Sequence, residues 1–537
     1  MLPATNRTRG GLVQFTSVIS IFLIIAASPV IAQSVQPSST SPKKYSLGET
    51  YEPNPIEVEP VQTGHVLPNG YGPGESVILP FFSGGKFGVV LPGDKSGEGK
   101  FGALIYRNKD GELCFGFPME EGIWGTGDWF TLRHKLVDNG VNITGGYTNN
   151  ILGNVVGGKK LGFSYADQIY VQADLDMQKL IGWQGAHIVV TGLDRNGTNV
   201  SNMYTGNTFN PNQIYGSETV GLLMLYLEQN LFNGWVNIKA GRMAVTEDFG
   251  SSPLYGLYVN NGIDGQPWGL AGNAGSLSAW PAVVWGGRIR INDKKHNIYA
   301  MGGIYQTNAN LYSPKSHGLD FGIHSTDGVT LVGEIGWTPE FQPHPKPSSV
   351  TDDSGKGTVD VSSTADNDDK WQGMPGHYKF GGYYTSWANI PTFDNSHPHG
   401  SYGLYWLFDQ MVYQAKPGSE MGLTLWGSFI LTPMQQVAII PYDLSLGAIY
   451  TGLIPGRSHD KTAIAVHYGA FSNIYGDQEQ ALGHAKPTAE VILEACYTIQ
   501  VSKCLVVQPD VQYIINPRGT SSIPNSLVLG AQISFNF

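Results

Sequence analysis

Charge is the first thing this sequence is short of. Asp, Glu, Lys and Arg make up 14% of its 537 residues, against roughly 25% in ordinary soluble domains. Long apolar runs are missing as well. Past the amino terminus no stretch approaches the roughly 20 consecutive apolar residues that a membrane-spanning helix needs, which excludes a helical membrane protein. Cysteine is nearly absent, with three in the whole chain, too few for a disulfide scaffold. Basic excess is absent too: 32 Lys and Arg stand against 43 Asp and Glu, which argues against a nucleic-acid partner.

What is present begins with an address. Arg7 and Arg9 form a short cationic start, Val18 to Ala27 is almost continuously apolar, and Val30-Ile31-Ala32 supplies the small or modest residues of a cleavage site. This is the layout of a secretory signal peptide over residues 1–32. Removing it leaves 30 basic and 43 acidic side chains. From Gln33 to about Gly125 the chain is broken by Pro53, Pro55 and Pro60 and by many glycines. Short apolar patches (Val77-Ile78-Leu79, Phe87 to Leu91) interrupt it. Residues 33–125 therefore read as an irregular periplasmic or plug-like extension.

From about residue 126 to 537 the pattern changes. Segments of about ten residues alternate apolar with polar or small. In the last of them Leu527, Leu529, Ala531, Ile533, Phe535 and Phe537 share one face, and Ser526, Gly530, Gln532, Ser534 and Asn536 the other. Leu505, Val507, Val511, Tyr513 and Ile515 alternate in the same way with Gln508, Asp510 and Gln512. One apolar and one polar face per strand, ending on an aromatic, describes lipid outside and water inside. Counting back from the carboxyl terminus gives sixteen segments, starting near Gly140. The even number suits a closed antiparallel transmembrane barrel with both ends on one side, and at this size side chains cannot fill the interior. A secreted β-sandwich or β-helix also alternates, but does not account for a chain ending mid-strand on Phe537.

Catalytic constellations are not found. Glu490 and Glu494 are four residues apart on one strand face, about 13 Å, whereas a glycosidase pair needs roughly 5 to 9.5 Å. Asp174 and Asp176 are closer, but nothing in a wet lumen raises the pKa of one of them. Ser458-His459-Asp460 are consecutive and cannot relay to one another in space. The stretch at Gly97-Glu98-Gly99-Lys100 lacks the spacing of a phosphate loop, and the thirteen histidines show no metal-ligand spacing. No enzyme, cofactor or metal is expected.

An ordered series of short motifs resembles the carbohydrate-selective porin (OprB-type) family. It runs from Gly127-Asp128-Trp129 with Leu132-Arg133, through Asp174-Leu175-Asp176, Gly182-Trp183-Gln184-Gly185-Ala186, Ala240-Gly241-Arg242 and Asp248-Phe249. It continues through Trp280-Pro281, Gly287-Arg288 and Gly452-Leu453-Ile454-Pro455-Gly456-Arg457 with Asp460, and closes with Gln508-Pro509-Asp510. The resemblance implies a passive sixteen-stranded channel for sugars and related polyols in the outer membrane of a Gram-negative bacterium. The alternative is a general porin for small hydrophilic solutes without sugar preference. Small sugars, outer-membrane lipid, the barrel-insertion machinery and a homotrimer are the expected partners. Two stretches depart from the family: the arm from Gln33 to Gly125, and a polar insert from about Gln342 to Trp371.

Strand parity points Asp174, Glu228, Lys239, Arg288, Arg290, Glu334, Lys379, Glu490, Glu494 and Asp510 inward. Charges of both signs at a constriction hold a transverse field that orients hydroxyl-bearing solutes; each is otherwise a solvated wall residue. Arg242 breaks the parity of its strand, standing either outward at the rim or inward past a bulge, and the resemblance favours inward. The solute path is therefore expected to involve Glu228, Lys239, Arg242, Arg288, Arg290, Glu334 and Trp268. Trp280 and Trp285 read as members of an aromatic girdle. Finally, Cys496 and Cys504 share the polar face on two strands joined by a turn around Gln500. Facing positions put Cβ atoms about 4.5–5.5 Å apart, so a disulfide between them is expected, with Cys114 left over.

Overall fold

The computed structural model describes residues 132–537 except 217–218, 274, 308–316, 342–372, 387–389, 417 and 503; before residue 132 it describes 76–78, 104–107, 113–115, 126 and 129. The signal segment lies outside the described residues. In the arm, β1 (Ser76–Ile78), β2 (Leu104–Arg107) and β3 (Leu113–Phe115) form a small antiparallel sheet in that order. Val77 and Ile78 fall in β1; Phe87 to Leu91 lie outside the described residues.

Alternating sequence gives a second, closed sheet. Its strands are β4 (Val141–Val156), β5 (Gly162–Asp176), β6 (Ala186–Gly197), β7 (Thr219–Leu231), β8 (Val236–Met243), β9 (Val284–Asp293), β10 (Ile298–Thr307) and β11 (Gly328–Trp337). A two-residue β12 (Glu340–Phe341) precedes β13 (Met374–Ser386), β14 (Gly400–Gln414), β15 (Gly422–Leu431), β16 (Tyr442–Thr451), β17 (Lys461–Ala470), β18 (Ala489–Gln500), β19 (Leu505–Ile515) and β20 (Ser526–Asn536). Leaving aside the short β12, these are the sixteen strands that the alternation implied. Each pairs antiparallel with its neighbour, and β20 returns to pair with β4. Closure leaves no unpaired edge. Beyond the last ladder position, Phe537 and Gly145 exchange two backbone hydrogen bonds of 2.9 Å.

Parity holds along the walls. Ile289, Ile291, Leu331, Ile335, Phe380, Leu404 and Trp406 are exposed on the outer face, where only lipid keeps such a belt out of water. The connections divide by end. At the end that carries both barrel termini three are four-residue turns, 232–235, 294–297 and 501–504, and 338–373 is the one long stretch. At the far end they are longer, reaching 40 residues between β8 and β9. The polar insert lies outside the described residues, but its flanks, Phe341 and Gly373, both stand at the terminal end.

The disulfide expectation fails on register. Cys496 faces Asp510, and Gln500 faces Val506, so the turn is centred near residue 503 rather than 500. Cys504 falls opposite residue 502, six residues along the strand from Cys496, or about 20 Å. The Cys496 thiol donates instead to the Leu257 carbonyl at 3.0 Å, and Cys504 sits against the Ser502 hydroxyl at 3.2 Å.

Candidate functional site

Two far-end connections fold into the lumen rather than away from it. Segment 244–283 is rich in Gly, Asn and aromatics and carries three short 3₁₀ turns. Its Val245, Phe249, Tyr255, Tyr258, Ile263, Leu270 and Leu277 are buried in one cluster with inward wall residues of β10 to β18, including Tyr305, Tyr405, Trp426 and Ile449. Segment 198–218 adds Val200 and Phe209 to a second cluster with Val259, Ile440, Ile492 and Val528. One side of the lumen is thereby filled with apolar packing.

An irregular loop carried into a protein interior brings backbone N–H groups that need acceptors. Inward carboxylates supply them. Glu334 accepts from the Gly250 amide at 2.8 Å and from the Tyr299 and Tyr405 hydroxyls at 2.7 and 2.8 Å. Glu494 accepts from Val259 N at 2.6 Å, and Asp443 from Gly269 N at 2.7 Å. Glu490 takes the amides of Thr208, Phe209 and Arg518. All four carboxylates are buried. Glu334 was expected in the solute path and Glu490 and Glu494 on a wet wall. The structure corrects this: they hold the loops. Long Asn- and Gly-rich connections, which must find acceptors somewhere, are the sequence signal for such anchors.

Inward charges that keep access to water cluster on β5 to β9, with His377 of β13 a further exposed group. Asp174 and His187 pair at 2.9 Å with 35% of each side chain exposed; Glu228 is 26% and Lys239 15% exposed. Lys239 and Arg288 stand opposite each other in register, and both reach Asp248 Oδ1 of the inward loop at 3.0 Å. Arg288 also donates to the carbonyl and side-chain oxygens of Asn237, and Asn237 donates to Glu228 Oε1 at 2.7 Å. Glu247, beside Asp248 on the loop, is exposed and within electrostatic reach of Lys239. Strand parity missed Asp248 and Glu247, because it says nothing about a loop; Asp248 entered only through the Asp248-Phe249 motif. One step along β9, Arg290 lies over the Tyr299 ring at 3.9 Å and donates to Asn292 at 2.8 Å. Lys379 spends its ammonium on the Ser251 carbonyl at 2.5 Å. Basic side chains of β8 and β9 thus meet acids from the loop and from β7 in one cluster.

Arg242 is not part of this cluster. The β7–β8 and β8–β9 ladders run without a bulge, and Arg242 pairs with outward Trp285. Inward placement is overturned. Its guanidinium donates to the Asp320 carbonyl and lies 4.8 Å from the Phe321 ring. Trp285 Nε1 donates to the Phe321 carbonyl at 3.1 Å, and Gln306 Nε2 to the Gly322 carbonyl at 3.0 Å. Segment 317–323 is thus a strap laid over the outside of β8, β9 and β10. It begins with the His317 carbonyl accepting from Leu222 N of β7, a place vacated when the chain turns inward after Met243. Trp268 lies on the inward loop, half-buried, with its ring edge-on to Phe209 at 5.6 Å.

Ser445, His467 and Asp443 come together, but both contacts fall on the same His467 nitrogen and all three residues are buried. A relay needs the two ring nitrogens in separate roles. Among the described residues no group of His, Cys, Asp and Glu is arranged to hold a metal.

Comparison with known proteins agrees with this geometry. The model of the OprB family, carbohydrate-selective porins, matches residues 160–537. Porin B of Pseudomonas aeruginosa is 24% identical over 451 residues, covering 77% of this chain and 91% of that protein. The putative porin QuiX of Acinetobacter baylyi is 21% identical over 443 residues, covering 77% and 93%. The solved high-pH structure of Pseudomonas putida OprB superposes with a TM-score of 0.67 at 23% identity, over 78% of this chain and 99% of that one. At that identity the likeness shows the fold.

Proposed function

The chain belongs to the OprB family of carbohydrate-selective porins and is an outer-membrane protein, and from that premise we propose that it lets neutral sugars and related polyols diffuse passively into the periplasm. Tight turns mark the periplasmic end of such barrels and long loops the outside. That orientation makes the inward fold of segment 244–283 a constriction entered from the cell exterior.

One observation carries the reading. Lys239 and Arg288 on the wall face Asp248 on the loop, with Glu228 and Glu247 beside them. Fixed charges of both signs held together beside a narrow passage set a local field in it, which favours dipolar hydroxyl-bearing solutes over ions of either sign. Lys239 and Arg288 are already paired, so the passage offers donors and acceptors more than net charge. Glu228, Lys239, Arg288 and Arg290 line this path in our reading, and the loop anchored by Glu334 sets its width.

Liposome swelling tests it. Vesicles carrying the protein should swell fastest in glucose, more slowly in a disaccharide, and least in a charged sugar or an amino acid. Equal rates for glucose and an amino acid of similar size would instead make it a general porin.

A further inference from the structure

On its lipid face the wall has a hollow that the barrel does not require. Gly302, Gly333 and Gly382 stand in one register row across β10, β11 and β13. With Ala300 they floor a groove of about 410 Å³, walled by Ile289, Ile291, Ile335 and Phe380. Those four side chains are 45 to 59% exposed, so the groove opens outward, away from the lumen. Glycine elsewhere in these strands has an occupant above it: a Cβ at Gly336 would strike the Tyr299 ring at 2.2 Å, and one at Gly381 the Tyr405 ring at 2.2 Å. At Gly302 and Gly333 a Cβ would meet nothing nearer than 3.8 Å. Over Gly302 and Gly333 the space is free; at Gly382 the Leu404 side chain closes the row, its Cδ2 2.8 Å from where an added Cβ would stand.

Its depth identifies the membrane level. Below Ala300 the strands end in the turn 294–297, about 10 Å away at a strand's rise. Beside it Trp337 stacks on Tyr378 at 5.5 Å and meets Phe341 edge-on at 5.8 Å, an aromatic set of the kind that marks a membrane–water interface. The same turn exposes Lys294, Lys295 and His296. The Lys294 ammonium donates to the Asn233 carbonyl and His296 pairs with Asp293. A carbonyl does not neutralise the first lysine, and the turn keeps a positive excess.

We propose that this groove binds one phospholipid of the periplasmic leaflet, an acyl chain lying along Gly302 and Gly333 and the anionic phosphate resting against Lys294 and Lys295. The apolar wall continues the lipid-facing belt, and the volume falls within the range of ligand clefts, roughly 300 to 1,000 Å³. Basic residues at a membrane surface attract anionic headgroups.

Native mass spectrometry of the full chain in mild detergent, with added phosphatidylglycerol or phosphatidylcholine, tests the site. The wild type should retain one phosphatidylglycerol per barrel in preference to phosphatidylcholine. Gly302→Leu or Gly333→Leu should fill the groove and cut the bound fraction by about tenfold. Lys294→Ala with Lys295→Ala should remove the preference for the anionic lipid, by about fivefold per lysine. Ala300→Leu fills the same space should either glycine variant fail to insert, and Ala495→Leu, elsewhere on the outer wall, should leave binding unchanged. Equal lipid retention by wild type and filled variants would overturn the proposal. So would a lipid-free wild-type dimer that the filling substitutions dissociate, which would make a second copy the occupant.

Discussion

A carboxylate pointing into this barrel serves one of two ends, and its hydrogen-bond partners tell which. Glu334 has three donors, one of them a loop amide, and is 3% exposed. Arg288 is as deeply placed but ends on Asp248, beside the solute path proposed above. Hydrogen bonds to a charged group contribute roughly 1.5–3 kcal/mol each and leave costly unpaired donors when removed. Glu334→Ala should therefore cost about 3 kcal/mol or more of stability, seen as a lowered unfolding midpoint in detergent. Arg288→Ala or Arg290→Ala should instead shift single-channel selectivity toward cations and weaken block by sugar, with the barrel intact. Parental conduction in both arginine variants would reduce those side chains to wall residues.

Asp460, in the turn after β16, shows the same logic with a pH sign. Burial alone would raise its carboxyl, but Arg457 grips it at 2.7 and 2.9 Å, with the Tyr497 hydroxyl at 2.6 Å and the Gln500 amide at 3.0 Å, and together they hold it below the usual carboxylate range. A group depressed in the folded state contributes stability that is full above its unfolded value, near 3.9, and is lost as pH falls through the lower folded value. Thermal unfolding in detergent should show the wild type losing its advantage over Asp460→Asn below about pH 4. An advantage unchanged at pH 2 would mean that Asp460 acts by shape rather than charge.

Among elements, strands were legible from sequence and loops were not. Period-two alternation reports which side a residue faces, and for β18 to β20 every assigned face holds. It is silent on what comes to lie against that face. Glu490 and Glu494 were therefore placed correctly inward and given the wrong surroundings, because Thr208 and Val259 reach them from more than 230 residues away in sequence. The Cys496–Cys504 pairing failed by a shift of three residues in one turn centre. The inward reading of Arg242 failed because its strand carries no bulge, and a strap from another connection covers it on the outside. The terminal strand carries its own prediction. The Phe537 ring lies over Gly145, where an added Cβ would come within 2.6 Å of it, and its backbone adds two bonds to β4. Deleting Phe537 should lower the heat-modifiable, membrane-inserted fraction. Unchanged insertion would show that the earlier ladder positions suffice to close the barrel.

At the scale of the whole molecule, the barrel and the loop inside it make separable contributions. The sheet closes through its own ladders, strand to strand, without help from the lumen. Segment 244–283 joins afterwards in physical terms: its apolar side chains pack on the inner wall and its amides dock on carboxylates that the wall already presents. Replacing residues 252–276 by a short Gly/Ser linker should therefore leave a closed barrel, still heat-modifiable, with a lower unfolding temperature because Tyr255, Tyr258, Ile263 and Leu270 no longer bury against Tyr405, Trp426 and Ile430. Glu494 and Asp443 would lose their amide partners and face water, where a carboxylate is comfortable, so the wall should tolerate the loss. Conductance in planar bilayers should rise severalfold, since the filled side of the lumen empties. Asp248 lies before the deletion and keeps its pairs with Lys239 and Arg288, but without the rest of the loop the proposed passage beside them is no longer narrow. Discrimination between glucose and a disaccharide should fall with the rise in conductance. A variant that conducts more yet still ranks the two sugars as the parent does would place selectivity on β5 to β9 alone, and would remove the loop from the account of specificity given above.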